Sequence, residues 1–262
     1  MNALRAAILR GARATPRPGG AIAGRRPGEG LAFSQLRAYA EGDDPRRIDH
    51  AATARAGTLQ TRVYLEETAL VLGAIVDESG SMRVGRRRSL SDAADEALRA
   101  WFGAMEGDDR AARIVDGRVV ADRRAAPLVH ARAPFAFAGD LRIALRALPR
   151  GASLLALVDG FEVPDHETLV RAALRFDASV LIARDPWYDG LPLRGFVSLR
   201  DAETGNVLRT FVGARARTRY RDAAQARERE LHGRFRAAGW RVGTLHETDG
   251  RASLLHAFGV AA

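Results

Sequence analysis

Three oxygen-bearing side chains follow an apolar run at alternate positions. Residues 69–76 read ALVLGAIV, Asp77 comes next, and hydroxyls follow at Ser79 and Ser81. The run is too short to cross a bilayer, but it has the length and composition of a strand buried on both faces. Asp77 therefore stands where such a strand leaves its sheet, and Gly80 allows a tight turn there.

This loop has the chemistry of a site for a hard cation. Open α/β sheets bind ligands at the carboxyl ends of their strands, which is where these side chains would lie. Carboxylate and hydroxyl oxygens, with no His or Cys in the loop, suit Mg²⁺ or Mn²⁺ rather than zinc. The alternative is an ordinary polar loop without an ion, because Asp and Ser are common turn residues.

A second acid follows a second apolar run. Residues 152–158 read ASLLALV and are followed by Asp159-Gly160. If the two runs are neighbouring parallel strands, Asp159 faces the first loop and supplies a second carboxylate. The predicted metal ligands are therefore Asp77, Ser79, Ser81 and Asp159.

The remaining pattern predicts an α/β fold with a mainly parallel sheet flanked by helices. Ser89 to Asp92 has the pattern of a helix capping box. Asp116-Gly117 between two short apolar runs predicts a hairpin at an antiparallel edge of the sheet. Residues 201–205, DAETG, predict an inserted hairpin near the C-terminal end.

Composition excludes some kinds of chemistry. The chain has 262 residues, 41 arginines, no lysine, no cysteine and a net charge of +9. Disulfides, zinc–thiolate sites and thiol nucleophiles are therefore excluded. Nucleic-acid binding driven by net charge stays an alternative, although the arginines are dispersed and aromatic residues make up only 6% of the chain.

The N-terminal residues suggest a domain boundary. Residues 1–29 are interpreted as a flexible basic lead, with a short helix ending near Arg13, and residues 30–262 as one domain that begins with a distinct segment at 30–68. No apolar run is long enough to span a membrane, so a cytoplasmic protein is expected.

Two motifs in order resemble the bacterial DUF58 family (domain of unknown function), whose members are von Willebrand factor A-like. One motif is the D-x-S-x-S loop at Asp77. The other lies upstream, and its matching residues are Phe33, Leu36, Arg37, Tyr39, Gly42, Asp43, Asp44, Arg47, Ile48, Asp49, Thr53, Ala54 and Arg55. Ala32 and His50 depart from the family's preferred Glu and Trp. The resemblance extends over roughly Gly28 to Phe258.

The resemblance implies a particular kind of metal site. In von Willebrand A-type domains the D-x-S-x-S loop forms a metal-ion-dependent adhesion site, with an acid at the position of Asp159 and a Thr from an intervening loop. Gly139 stands at that Thr position here. Weak binding of Mg²⁺ or Mn²⁺ is therefore expected, with Asp140 or a water replacing the missing ligand.

The function that the resemblance implies is a non-enzymatic, metal-assisted adaptor. Its expected partner presents an acidic residue to the metal and is a MoxR-type AAA+ ATPase, in protein maturation or cofactor insertion. The alternative from another class is a Mg²⁺-dependent phosphohydrolase that uses Asp77 as nucleophile or ligand.

Two further groups of charged residues are candidate structural or partner-binding sites. In the upstream motif, which also contains Asp43, Asp44 and Arg47, we expect Arg37, Asp49 and Arg55 to brace the 30–68 segment against the domain through charged hydrogen bonds. In the basic loop 83–88, which follows Ser81, we expect Arg86 and Arg87 to steer an acidic partner toward the metal.

Overall fold

The computed structural model describes residues 3–14, 27–41, 43–65, 70–115, 117–121 and 135–261. Contacts divide the chain into two compact units, one formed by Met1–Ala21 with Leu70–Ala262 and the other by Ile22–Ala69. We refer to them as the main unit and the inserted unit. Gly42 of the upstream motif, Asp116 of the expected edge hairpin and residues 15–26 of the expected lead lie outside the described residues.

Helices and strands alternate along most of the chain. The helices are α1 (Ala3–Ala14), α2 (His50–Ala56), α3 (Leu90–Phe102), α4 (Phe137–Ala147), α5 (His166–Arg175), α6 (Ala214–Ala237) and α7 (Gly250–Ala257). The strands are β1 (Pro27–Ala38), β2 (Gln60–Leu65), β3 (Val71–Val76), β4 (Arg110–Val115), β5 (Arg118–Val120), β6 (Ser153–Val158), β7 (Asp177–Ala183), β8 (Gly195–Arg200), β9 (Val207–Val212) and β10 (Arg241–Leu245). An alternation of strands and helices along the chain is typical of a parallel sheet flanked by helices.

The central sheet of the main unit has the strand order β10-β7-β6-β3-β4-β5. The first five strands are parallel, and β5 pairs antiparallel with β4 at the edge. Gly117, in the turn between β4 and β5, has a φ of 71°, which a residue without Cβ adopts at little cost. A separate two-stranded hairpin is formed by β8 and β9. The predicted α/β class, with its antiparallel edge and its inserted hairpin, is confirmed.

The central strands are buried on both faces because their side chains feed two separate cores. Every residue of β6 is buried. Leu155 and Leu157 join the core that contains α1, α3 and α7 residues. Leu154 and Ala156 join the other core, which contains α4, α5 and α6 residues. Alternating side chains of β6 thus pack against both helical layers. This packing fixes the position of the strand and therefore of its carboxyl end.

Helix α3 closes the sheet face next to the D-x-S-x-S loop. Ser89 and Asp92 form the predicted capping box at its first turn. Trp101 is fully buried near its last turn, and its indole N–H donates to the carbonyl of Gly73 at 3.1 Å. The hydrogen bond ties α3 to the strand that precedes the loop, so Trp101 is a core residue.

Helix α1 corresponds to the short helix expected to end near Arg13, but it packs against the core instead of belonging to a flexible lead. Leu4, Ala7 and Ile8 lie on one side of the helix and are buried in the core of the main unit. Arg5 pairs with Asp109, whose carboxylate also accepts the N–H groups of Leu70 at 2.7 Å and Glu106 at 2.9 Å. Residues 3–14 are therefore part of the main unit, because a short apolar stripe between the arginines packs against the sheet.

The Asp109 carboxylate keeps its charge in spite of burial. Burial by itself would raise its pKa, but hydrogen bonds from Arg5, Glu106 and Leu70 outweigh burial and leave the pKa below its ordinary value. A buried carboxylate in this state stabilises the fold only while its partners are present.

The inserted unit consists of the β1–β2 antiparallel pair and the short helix α2. Asp49 caps α2 by accepting the N–H of Ala52 at 2.9 Å, and its other oxygen accepts from Arg62 Nε at 2.9 Å. Both bonds lower the pKa of Asp49, and the bond from the Ala52 N–H has the larger effect. The role of Asp49 is thus to cap α2 and to pair with Arg62 on the neighbouring strand.

The other charged residues of the upstream motif also bond to residues of the inserted unit. Arg37 makes two contacts with the Asp43 carboxylate, at 2.8 and 2.6 Å, which lower the pKa of Asp43. Asp44 accepts the N–H of Arg46 at 2.9 Å and caps a 3₁₀ turn. Arg47 Nε lies 4.0 Å from the Asp44 carboxylate, and Arg55 Nε donates to Ala51 O at 3.2 Å. The motif therefore shapes the turn and helix of this unit.

Truncation of Ile8 tests whether α1 is an integral part of the core. Ile8 is fully buried, so Ile8→Ala should destabilise the protein by about 3 kcal/mol through lost burial and the cavity left behind. Thermal unfolding followed by circular dichroism measures the change. Arg10→Ala, at an exposed position of the same helix, is the control and should melt like the wild type. Equal melting of all three proteins would mean that α1 does not contribute to the core.

Candidate functional site

The D-x-S-x-S loop begins where the sheet positions it. The N–H of Asp77 donates to Leu157 O at 2.8 Å, which continues the β3–β6 pairing one residue beyond β3. Asp159 follows Leu157 by two residues, so the two acids leave adjacent strands at the same edge. Ser79 is the residue before a 3₁₀ turn at Gly80–Arg83, which carries Ser81. The sequence prediction that these strands are neighbours is correct.

Side-chain oxygens of the four residues lie in one continuous row of short oxygen–oxygen contacts. Ser79 Oγ donates to Asp77 Oδ1 at 2.5 Å, and the hydroxyls of Ser79 and Ser81 lie 2.9 Å apart. Ser81 Oγ donates to Asp159 Oδ2 at 2.6 Å. The backbone N–H of Asp159 donates to Asp77 Oδ2 at 3.3 Å and closes the set. The structure thus brings together all four residues that the sequence nominates as metal ligands.

The environment of Asp77 is costly for a negative charge. Asp77 is 1% exposed, and burial together with the nearby Asp159 carboxylate raises its pKa to about 6, in spite of the bonds from Ser79 and the Asp159 backbone. Two carboxylates joined through hydroxyls in a desolvated loop repel each other. A cation among these oxygens would offset that repulsion.

The donor set fits a small hard cation rather than a soft one. All four side chains offer oxygen, which Mg²⁺ and Mn²⁺ prefer. Within the described residues, no three His, Cys, Asp or Glu side chains come close enough to share a metal ion. Binding here would therefore depend on the serine hydroxyls and on retained water, which is compatible with Mg²⁺ because it dehydrates reluctantly.

The position expected to hold a Thr lies in the first turn of α4. A Cβ added at Gly139 would meet only the Ala136 Cβ, at 3.7 Å, so a larger side chain is sterically allowed. Asp140, the suggested substitute ligand, accepts the N–H of Gly117 at 3.2 Å and supports the turn between β4 and β5. That contact favours water over Asp140 as the replacement for the missing Thr.

Gly80 has a different role from the one expected. Its backbone is not in the left-handed region, so the loop does not need glycine for a tight turn. A Cβ at this position would lie 2.2 Å from the carbonyl oxygen of Ala202, in the turn between β8 and β9. Glycine is required because another backbone approaches it closely.

The same turn supplies an acidic residue that the sequence reasoning did not connect with the loop. Glu203 Oε1 accepts the backbone N–H of Ser81 at 2.6 Å. The hairpin itself is visible in the DAETG pattern, but its contact with a loop 122 positions earlier leaves no local signal. Glu203 is thus a fifth residue of the candidate site.

The basic loop after Ser81 is fixed at its backbone and exposed at two of its arginines. Glu247 accepts the N–H groups of Arg86 at 2.7 Å and Arg87 at 3.3 Å, and both of these side chains are exposed. Arg88 instead pairs with Glu96 on α3 at 2.6 Å. Of the loop's later arginines, Arg86 and Arg87 therefore present charge to solvent, although Arg86 also lies over the Trp187 ring.

A cavity of about 540 Å³ adjoins the site. Its walls include Ser81 and Asp159 from the loop edge, Glu203 from the hairpin, and Tyr188 and Tyr220. Tyr220 donates to the Asp185 carboxylate, and burial together with this bond raises the pKa of its phenol. Directly beside the four oxygens, the cavity thus combines charged and aromatic side chains with aliphatic ones such as Ile182 and Leu231.

No helix in the described ranges has the length and apolar content needed to cross a membrane. This finding agrees with the absence of a long apolar run in the sequence.

Residues 35–230 match the family model described as "Protein of unknown function DUF58", and the chain belongs to that family. The resemblance drawn from the two sequence motifs is thereby confirmed. Similar curated proteins include uncharacterized proteins of Mycobacterium bovis and Mycobacterium tuberculosis. Each is 28% identical over 234 residues, which cover 81% of this chain and 74% of the relative.

Two solved structures are similar in part. One is a von Willebrand factor type A protein from Catenulispora acidiphila, with 17% identity and a TM-score of 0.43, covering 76% of this chain and 43% of that chain. The other is the conserved hypothetical protein BatB from Bacteroides thetaiotaomicron, with 15% identity and a TM-score of 0.38, covering 65% of this chain and 99% of that chain.

Neutralising Asp77 tests the charge repulsion within the site. Without metal, Asp77→Asn keeps the size of the side chain and removes one of two neighbouring charges. We expect it to stabilise the chelator-treated protein by on the order of 1 kcal/mol. Thermal unfolding in EDTA measures this, and Asp222→Asn, at an exposed position of α6, is the control for a change of net charge. A lower melting temperature for Asp77→Asn than for the control would contradict the repulsion.

Proposed function

We propose that this protein is a non-enzymatic, metal-assisted protein-binding module. The observation that carries the proposal is the convergence of Asp77, Ser79, Ser81 and Asp159 at one sheet edge, with oxygen–oxygen contacts of 2.5 to 2.9 Å between them. Its von Willebrand A-like fold suggests an interaction or adaptor role. The serine hydroxyls donate to carboxylates and not to an imidazole, which is the arrangement of a ligand cluster rather than of an activated serine.

Each of the four residues has a distinct part in holding Mg²⁺ or Mn²⁺. The hydroxyl oxygens of Ser79 and Ser81 are the direct protein ligands, since they lie between the two acids. Asp77 and Asp159 orient the hydroxyls and supply the compensating negative charge. A bound divalent cation contributes an electrophilic position that an incoming carboxylate oxygen can fill.

The partner that fits such a site carries an exposed Asp or Glu. Neutral hydroxyl ligands leave most of the charge of the ion uncompensated, so it attracts a carboxylate more strongly than a site crowded with acids would. The family resemblance suggests a MoxR-type AAA+ ATPase as that partner, in protein maturation or cofactor insertion. Arg86 and Arg87 extend the positive field beside the loop.

Metal titration tests the site itself. We expect Mg²⁺ or Mn²⁺ to bind with a Kd in the micromolar to millimolar range, and Asp77→Ala to abolish the heat of binding in isothermal calorimetry. Gly139→Thr should tighten binding, because space for the side chain exists and a third hydroxyl would replace water. Asp222→Ala is the control. The site is ruled out if the wild type shows no heat with either ion, and steady turnover of generic phosphoesters would favour a phosphohydrolase instead.

Binding kinetics with a purified MoxR-type ATPase test the partner contact. Ser79→Ala with Ser81→Ala should mainly speed dissociation, because it removes the central ligands. Reversing Arg86 and Arg87 to Glu should mainly slow association, by about tenfold at low salt and by less at high salt.

Reversal of Arg146 and Arg150 to Glu is the matched control for the kinetic experiment. Both are exposed and precede β6, at the end of that strand away from the loop, so they should leave association almost unchanged. Wild-type kinetics in the serine and Arg86/Arg87 variants alike would show that the ATPase contacts another surface.

A further inference from the structure

The turn between β8 and β9 is built to hold one acidic side chain in place. Asp201 Oδ1 accepts the N–H groups of Glu203 at 2.9 Å and Thr204 at 2.6 Å, and the Thr204 hydroxyl at 2.9 Å. Gly205 closes the turn with a φ of 73°. These bonds are internal to the hairpin, so the turn presents Glu203 in a defined position.

This turn meets the D-x-S-x-S loop at two adjacent residues. The Glu203 carboxylate accepts a hydrogen bond from the backbone N–H of Ser81, the residue whose hydroxyl donates to Asp159. The carbonyl of Ala202 lies so close to Gly80 that no Cβ fits between them. One contact is a short charge-assisted hydrogen bond and the other is steric, so they depend on different atoms of the same turn.

The hairpin that carries the turn is a separate element of the structure. In the sheets of the described residues, β8 and β9 pair with each other and not with the central sheet. Phe196 on β8 and Leu208 and Phe211 on β9 are 89%, 62% and 59% exposed. A two-stranded hairpin contributes little stability of its own, so it can leave the loop without disturbing the central sheet.

We propose that the tip of this hairpin, residues 201–205, is an internal occupant of the loop that a partner must displace. The inference rests on the proposed function, because it takes the loop as the partner's binding site. Glu203 brings a carboxylate to the backbone N–H of Ser81, beside the four oxygens, and it does so from a tight turn with a small residue, Ala202, before it. The favoured partner therefore offers the same features: a carboxylate on an exposed tight turn, preceded by a small residue.

Cis occupancy has a predictable effect on binding. An occupant attached to the same chain acts at a high effective concentration, so the loop is covered for most of the time. The apparent affinity for a partner equals the affinity of the open loop multiplied by the fraction of molecules in which the loop is open. Weakening the hairpin contact should thus expose the loop without altering any of the four oxygen ligands.

Hydrogen–deuterium exchange of the full-length chain without metal tests the contact. Glu203→Ala removes the carboxylate, and Gly80→Ala places a methyl group against Ala202. Both should speed exchange of the amides in residues 79–84 and 201–206 by about tenfold. Glu230→Ala and Gly233→Ala are matched controls on α6: Glu230 is exposed and a Cβ at Gly233 meets nothing within 4 Å. The proposal is overturned if Glu203→Ala and Gly80→Ala exchange like these controls.

Bound Mn²⁺ then reports whether the tip covers the loop. Water-proton relaxation by protein-bound Mn²⁺ should be stronger in Glu203→Ala and Gly80→Ala than in the wild type, because more water reaches the ion. Faster exchange with unchanged relaxation would show that the tip touches the loop without covering it, which also overturns the proposal. If Mn²⁺ binds to none of the proteins, the metal-assisted function fails, and the exchange result still decides whether the tip occupies the loop.

Discussion

The burial of Asp77 at the end of β3 is the constraint on which the candidate site depends. A carboxylate that is almost fully withdrawn from water must be compensated by hydrogen bonds or by positive charge. Ser79 and the Asp159 backbone provide the hydrogen bonds, and Asp159 adds a second negative charge instead of a positive one. The oxygens of Asp77 accept hydrogen bonds, but its negative charge is not balanced by a positive one. A site with uncompensated negative charge attracts a cation.

The two-sided packing of the sheet makes this arrangement possible. Side chains of β3 and β6 alternate between two cores, so a slip of either strand by one residue would move every side chain to the opposite core and disrupt the packing of both. Because the register of the pair is fixed, the residues directly beyond the strands meet at a fixed separation. The hydrogen bond from Asp77 to Leu157 continues that register into the loop. Precision at the site is thus a property of the core beneath it.

The sequence was informative wherever a signal is local and periodic. The two apolar runs predicted neighbouring strands, and the acids that follow them were correctly placed together. The short helix ending near Arg13 was predicted, but its packing in the core was missed because its buried residues lie among arginines, which give the segment the composition of a solvated lead. Gly80 was assigned to a turn because glycine usually signals one, whereas its real constraint is the carbonyl of Ala202. Contacts between residues so far apart in the chain cannot be inferred from spacing, and for the same reason Glu203 was not connected with the loop.

Asp109 has a consequence for the order in which the main unit assembles. Its carboxylate binds Arg5, which precedes the inserted unit in sequence, and accepts the backbone N–H of Leu70, where the chain re-enters the main unit. During synthesis Arg5 precedes its partner Asp109 by 104 positions. During synthesis α1 therefore emerges from the ribosome long before its docking site exists, and the inserted unit, whose hydrogen bonds are local, can fold in the interval.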